Sequence, residues 1–354
     1  MAGTRSGVPV ADNDRIGART DSARAGVRVT AVTYEDLHRL MAPAIDAERE
    51  AALDLLGPSA PAVRAVVAEL LAHRTFRYPL SVLPLIVHAV ETGAVEPALP
   101  LAVVHELWWT SACCLDDLAD SPDGHRAGDL DQSAALLAVV IAGTPLPLRI
   151  VQSDRIREPV RGPLAAEVVR CWTAATEGQL RDLQGRAEAA TCASVVEAYL
   201  GKSGAPYRMI TAMAAALAGA GRQRVELWRE FGDVFGVLWQ IFNDQEDILS
   251  GRDEDLRNGT VTLLLACALE EATADATERV LELHAAARHS GSARAELGDL
   301  MLTPAVLGRY ERTIDDFRGR AHRVLDELGG HDRYLGILRD LVERSSALLL
   351  KPRA

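Results

Sequence analysis

The stretch HELWWTSACCLDDLAD, residues 105–120, ends an apolar helix-forming run in three carboxylates, Asp116, Asp117 and Asp120. On a helix, Asp116 and Asp120 fall one turn apart on the same face, roughly 5 to 6 Å between Cβ atoms. Like charges that close repel, and the run is too apolar for a solvated surface rod. A hard divalent cation relieves such a pair, and carboxylate oxygens are what Mg²⁺ prefers. Because Mg²⁺ completes its shell with waters and substrate phosphates, the pair predicts a phosphorylated ligand. A polar helix end that simply faces water is the plain alternative for this stretch taken alone.

A second acidic stretch, WQIFNDQED, places Asn243, Asp244 and Asp247 at the end of another apolar helix. Two such helices facing each other across a bundle present a cage of carboxylates. A diphosphate held there by several Mg²⁺ ions becomes a leaving group, and the apolar helices behind line a pocket for a greasy chain. That is the constellation needed to ionise an allylic diphosphate.

The elements that must position these groups are helices. Alanine and leucine dominate a composition that is 48% apolar and only 5% aromatic, which favours helix over sheet. Thr33 with Glu35 and Asp36 marks a first helix start, and Pro61 a second. The segment RTFRYPLSVLPLIVHAVETG becomes apolar all round, as a helix central to its bundle does. Residues 144–162, with Pro145, Pro147 and Pro159, read as the longest irregular connection, and Pro163 to Arg186 as a long helix. No strand, repeat or internal linker is evident, so the expected architecture is all-α, a single-domain bundle of about a dozen helices over residues 29–354, with residues 1–28 a disordered tail.

The net charge of −12 excludes nucleic-acid phosphate binding through clustered cations, whereas metal ions let an acidic protein hold a diphosphate. Five cysteines form neither a zinc spacing nor a paired framework and read as reduced, buried residues of a cytoplasmic protein. Each apolar run is interrupted before membrane-spanning length, so no membrane span is expected.

Taken together, the residues resemble the trans-isoprenyl diphosphate synthase family, the polyprenyl synthetases, from about residue 60 to 270. The resemblance rests on DDLAD as the first aspartate-rich motif, HRAG after it, GQLRD, YLGKSG, WQIFNDQED as the second motif, and DLRNGTVTLLLACAL. It implies the isoprenoid-synthase fold around a central apolar cavity, Mg²⁺ as cofactor, and a homodimer. Metal ligation would fall to Asp116, Asp117, Asp120, Asn243, Asp244 and Asp247. Lys202 would contact the substrate diphosphate, with Gln179, Gln240, Arg126 and Arg77 also binding substrate, and Asp116, Asp120, Lys202 and Asp244 forming the catalytic set. Asp182 matches the last residue of the Gly-Gln-x-x-Asp element.

Four departures bear on the reaction. RTFRYPLSV replaces the basic motif that holds isopentenyl diphosphate, leaving Arg77 as a substitute; His125 and Thr260 stand where the family has an arginine and a lysine; and Asn243 replaces an aspartate. Retained Lys202, Gln240 and Arg126 favour chain elongation from an allylic prenyl diphosphate and isopentenyl diphosphate. Asn243 favours a class I terpene synthase acting on one allylic diphosphate, and a non-catalytic regulatory subunit is a third reading. Ser111 and Ala112, one turn before Asp116, are small, and Trp108 and Trp109 come a turn earlier. The first obstruction then lies roughly 10 to 12 Å below the metals, which by family analogy suits a farnesyl to geranylgeranyl product. Both tryptophans, like Trp172, Trp239, Phe242 and Tyr207, are equally readable as packing, and His73 and His88 as structural.

Overall fold

The computed structural model describes residues 33–72, 80–120 and 130–352, without the side chains of 119 and 120. Arg77, Arg126, His73, His125 and the 1–28 tail therefore lie outside the described residues. Within them every regular element is helical, as expected. The order is α1 (Tyr34–Asp54), α2 (Pro61–Ala72), α3 (Leu83–Thr92), α4 (Leu99–Asp120), α5 (Gln132–Gly143), α6 (Pro145–Gln152), α7 (Glu158–Gln184) and α8 (Cys192–Tyr199). A π-helical turn (Leu200–Gly204) follows, then α9 (Ala205–Ala218), α10 (Arg222–Ser250), α11 (Glu254–Asn258) and α12 (Leu263–Glu271). The chain closes with α13 (Ala274–Ala287), α14 (Gly291–Met301), α15 (Pro304–Leu328) and α16 (Asp332–Ser345).

Local chemistry sets most of the boundaries. The Thr33 side chain accepts from the Asp36 amide while Asp36 reaches back, a reciprocal cap that fixes the start of α1. Asp131, Thr191, Thr262 and Ser290 cap α5, α8, α12 and α14, each side chain accepting from an amide that the helix cannot satisfy, and only Thr191 among them has the reciprocal bond. Gly219 and Gly251 end α9 and α10 with φ of 85° and 71°, a left-handed turn that side chains resist.

The expected irregular connection at 144–162 is a correction. Pro145 opens α6 and Pro159 sits in the first turn of α7, where proline's missing N–H costs nothing and its fixed φ suits the helix. Only Thr144 and residues 153–157 are irregular, and α7 runs from Glu158 rather than from Pro163.

The core follows from the apolar stripes. Leu83 to Val90 of α3 are all buried, which confirms that this helix is central. α9 is buried along nearly its whole length and lies between α3, α7 and α10. Two stretches, Glu96–Leu118 and Gln132–Gln152, are long and apolar enough to cross a membrane, contrary to the sequence expectation; 61% and 50% of their most apolar windows are buried inside the bundle. The excess apolarity of α4 is used in packing, since Leu101 to His105 and Leu107 to Trp108 are buried without a break except Glu106.

Candidate active site

α4, α7, the π-helical turn and α10 bring the predicted residues to one end of the bundle. Lys202 is the hub. Its Nζ lies 3.0 Å from Asp182 Oδ2 on α7 and 3.3 Å from Asp116 Oδ1 on α4. Gln179, one turn before Asp182, donates from Nε2 to Asp116 Oδ1 at 2.7 Å. Burial works against the Lys202 ammonium, but Asp116 and Asp182 outweigh it and raise its pKa, so this lysine is a fixed cation.

The neighbouring residue of the same turn faces the other way. Ser203 Oγ donates to Gln240 Oε1 at 2.5 Å, and Gln240 Nε2 donates to Asp244 Oδ1 at 2.8 Å. The Tyr199 hydroxyl donates to Asp244 Oδ2 and accepts from the Leu263 amide at 3.0 Å, joining α8, α10 and the start of α12. Burial pushes the Asp244 carboxyl up to about 6, against the lowering effect of Tyr199, Gln240 and Lys202. Asp247 is buried and accepts from the Glu254 and Asp255 amides at 3.1 and 3.3 Å, capping α11.

Lys202 and Asp182 act electrostatically on both Asp244 and Asp255, so the two acidic stretches face one region. Asp116 and Asp117 sit partly exposed at its edge, Asn243 is exposed, and the Asp120 side chain lies outside the described residues. Burial, then Asp244 and Asp247, push the Asp255 carboxyl well above the usual range. No hydrogen-bond donor among the described residues reaches that carboxylate.

An acid crowded by acids, beside further oxygen donors, fits a hard divalent cation. Among the described residues no three His, Cys, Asp or Glu side chains are arranged to hold an ion by themselves, so waters and phosphate oxygens would have to complete any shell. Tyr199 and Ser203 were not singled out in the sequence. The signal available was a tyrosine three residues before Lys202 in an apolar segment, whose hydroxyl needs a partner once buried.

Glycines let these segments approach. A Cβ on Gly178 of α7 would lie 2.4 Å from Lys202 N and 2.6 Å from Gly201 Cα, and one on Gly236 of α10 would lie 2.4 Å from Ser203 O. The turn bearing Lys202 and Ser203 is thus clamped backbone to backbone between α7 and α10.

An aromatic row joins α4, α9 and α10: Trp109 to Tyr207 at 5.6 Å between centroids, Tyr207 to Phe235 at 5.2 Å, Phe235 to Trp239 at 6.3 Å and Trp239 to Phe242 at 5.7 Å. The two tryptophans of the sequence part company here. Trp108 is buried against Trp172 at 4.8 Å, a core contact, and Trp172 Nε1 donates to Gly143 O at 2.7 Å. Trp109 is partly exposed and joins the row. His88 bonds the Ala94 carbonyl at 2.7 Å through Nδ1 and is structural, as expected.

The sequence matches the family model described as polyprenyl synthetase over residues 76–297. No curated protein sequence matches it. Among solved structures it resembles geranylgeranyl pyrophosphate synthetase from Pyrococcus horikoshii, with a TM-score of 0.74 at 19% identity, covering 88% of this chain and 98% of that one. Polyprenyl synthetase from Streptomyces coelicolor superimposes with a TM-score of 0.71 at 21% identity over 90% of this chain and 99% of that one. Geranylgeranyl pyrophosphate synthase from Corynebacterium glutamicum, in complex with isoprenyl diphosphate and magnesium, gives 0.72 at 18% identity over 86% and 97%.

Proposed function

Because the chain belongs to the polyprenyl synthetase family, we propose that it is a Mg²⁺-dependent prenyltransferase that ionises an allylic prenyl diphosphate and joins it to isopentenyl diphosphate. The product is a prenyl diphosphate of farnesyl to geranylgeranyl size. The observation that carries this reading is the Lys202 hub, which ties Asp116 to Asp182 beside the Gln240–Asp244 pair.

Asp116, Asp117 and Asp120 on one side, and Asn243, Asp244, Asp247 and Asp255 on the other, would hold Mg²⁺. When bound, Mg²⁺ offsets the negative charge that builds on a departing diphosphate. Lys202 stays protonated and adds a fixed positive charge for a phosphate oxygen, while Gln179 keeps Asp116 oriented. Tyr199 and Gln240 together hold Asp244 at one rotamer. Trp109, with Tyr207 packed behind it, forms an apolar floor and limits product length. The Corynebacterium complex with isoprenyl diphosphate and magnesium supports the ligand and metal assignments. A homodimer belongs to the same proposal, and the outward residues Leu137 and Val140 of α5, at 67% and 61% exposure, supply an apolar face for it.

One observation favours a second reading. Trp109 and Trp239, the partly exposed rings of the aromatic row, are suited to shielding a carbocation, as a class I terpene synthase with a single allylic substrate requires. Incubation with Mg²⁺ and geranyl, farnesyl or geranylgeranyl diphosphate, with and without isopentenyl diphosphate, separates the two. Longer diphosphates formed only with isopentenyl diphosphate support transfer; hydrocarbons or alcohols without it support the synthase; activity only on adding a partner enzyme points to a regulatory subunit. Asp116→Ala abolishes either chemistry, and a fully active variant refutes the metal assignment.

A further inference from the structure

The cysteines read from the sequence as unrelated core residues are all free thiols, and two of them meet. Cys192 opens α8 and Cys267 lies in α12, separated by 75 positions in the chain, with their Sγ atoms 3.5 Å apart. Cys267 is fully buried, whereas Cys192 is only partly buried. The helices are already joined beside the pair, since the Cys192 amide donates to Glu270 of α12 at 2.7 Å.

We propose that Cys192 and Cys267 are a thiol-modification site that closes into a disulfide when the protein meets a small-molecule disulfide oxidant such as oxidised glutathione. A disulfide needs its sulfurs at about 2.05 Å. From sulfur contact that is a movement of about 1.5 Å, within the range of side-chain torsions on two helices that already touch. No third metal-ligating side chain completes a soft-metal site with the pair among the described residues.

The chemistry balances in two exchanges. The Cys192 thiolate attacks one sulfur of glutathione disulfide; that S–S bond breaks, and the departing glutathione thiolate takes up the proton Cys192 lost. Cys267 then attacks the Cys192 sulfur, forms the Sγ–Sγ bond and expels the second glutathione thiolate, which accepts the Cys267 proton. Two protein thiols are oxidised by two electrons and glutathione disulfide is reduced to two glutathiones.

The environment assigns the order of attack. Cys267 is fully enclosed and Cys192 is not, which makes Cys192 the first nucleophile, and the hydrogen bond the two thiols share lowers the Cys192 pKa against the opposing effect of burial. Cys267 is raised first by that same hydrogen bond and then by burial. Once Cys192 is a mixed disulfide its charge is gone, and the larger cause of the Cys267 shift goes with it. The crosslink would brace the two helices that also meet through Tyr199 of α8 and the Leu263 amide at the start of α12, behind Asp244.

The test uses the full-length reduced protein and oxidised glutathione, read by thiol counting, peptide mass spectrometry without reductant, and thermal unfolding. Expected are the loss of two of the five thiols, a peptide linking Cys192 to Cys267 lighter by two hydrogens, and a Tm about 5 °C higher. Cys267→Ser should instead retain one glutathione on Cys192, and Cys192→Ser should take up none at Cys267. Persistence of all five thiols, a stable glutathione adduct at Cys192 in the parent protein, or a link between Cys113 and Cys114 in place of the predicted one overturns the proposal. None of these readouts depends on the proposed prenyl transfer, so either idea can fail alone.

Discussion

Replacing Gly178 with alanine tests whether the backbone clamp around Lys202 sets the geometry of the site. The new Cβ would lie 2.4 Å from Lys202 N, with Gly201 Cα at 2.6 Å, and both obstacles are backbone atoms that no rotamer change can remove. Restoring ordinary contact moves α7 and the π-helical turn apart by about 1 Å, and overpacking of that kind costs about 1–3 kcal/mol. Alanine in place of glycine returns up to about 1 kcal/mol through helix propensity. The net loss is about 1–2 kcal/mol, or a fall in Tm of about 1–3 °C for a chain of this length. Activity should suffer more than stability, because a shift of about 1 Å in a reacting constellation costs on the order of 100-fold in kcat/KM. Gly336 in α16 is the control: a Cβ there meets nothing within 4 Å, so Gly336→Ala should raise Tm slightly and leave the kinetics alone. Circular-dichroism melts and steady-state prenyl transfer assays on both variants decide the matter. If Gly178→Ala is as stable and as active as Gly336→Ala, close approach at this crossing does not position Lys202.

Three further outcomes are expected. Lys202→Gln removes the cation shared by Asp116 and Asp182 and should lower kcat/KM by about 100-fold or more, with Lys202→Arg recovering little because a planar guanidinium cannot occupy the point of contact; near-parent rates in either variant would contradict the hub. His105 is fully buried and burial lowers its pKa to about 3, so the unfolded chain binds the extra proton between about pH 6.5 and 3. Its contribution to stability is complete above the unfolded pKa and is lost as pH falls, at about 1.4 kcal/mol per unit. Asp244, raised, acts in the opposite sense, so the comparison must be made between the parent and His105→Gln, which should lack that slope in denaturant titrations from pH 7 to 4. Glu91→Ala strips the acceptor at 2.7 Å from both Arg224 Nη2 and Trp228 Nε1, the latter on a fully buried residue, and should lower unfolding free energy by about 1–3 kcal/mol with Glu91→Gln losing less; equal denaturation midpoints would count against it.

What the sequence revealed followed from chemistry that neighbouring residues declare. Asp116 and Asp244 each end an apolar helix, and the fold does bring those helix ends to one region through Lys202 and Gln240. The Thr33 cap and the all-round burial of α3 were likewise readable from local pattern. What stayed hidden depends on pairs far apart in the chain. Gly178 and Gly236 look like ordinary helix-weakening residues until the π-helical turn is seen pressed against both. Cys192 and Cys267 are distant in sequence, and no spacing rule connects them. The prolines at 145 and 159 misled for another reason: proline interrupts a helix in its interior but starts one readily, and the pattern alone did not say which.

Asp247 is already occupied. Its two carboxylate oxygens terminate the amides of Glu254 and Asp255, and α11 begins there after Asp253, at φ 51°, the only non-glycine among the described residues in the left-handed region. Each carboxylate oxygen accepts one amide and keeps a lone pair for a ligand, so a ligand that pulls Asp247 out of line competes with those two amides for the start of a five-residue helix. Hydrogen exchange at Glu254 and Asp255 would therefore act as a built-in gauge, quickening when that carboxylate is recruited and staying slow while it is left to its helix.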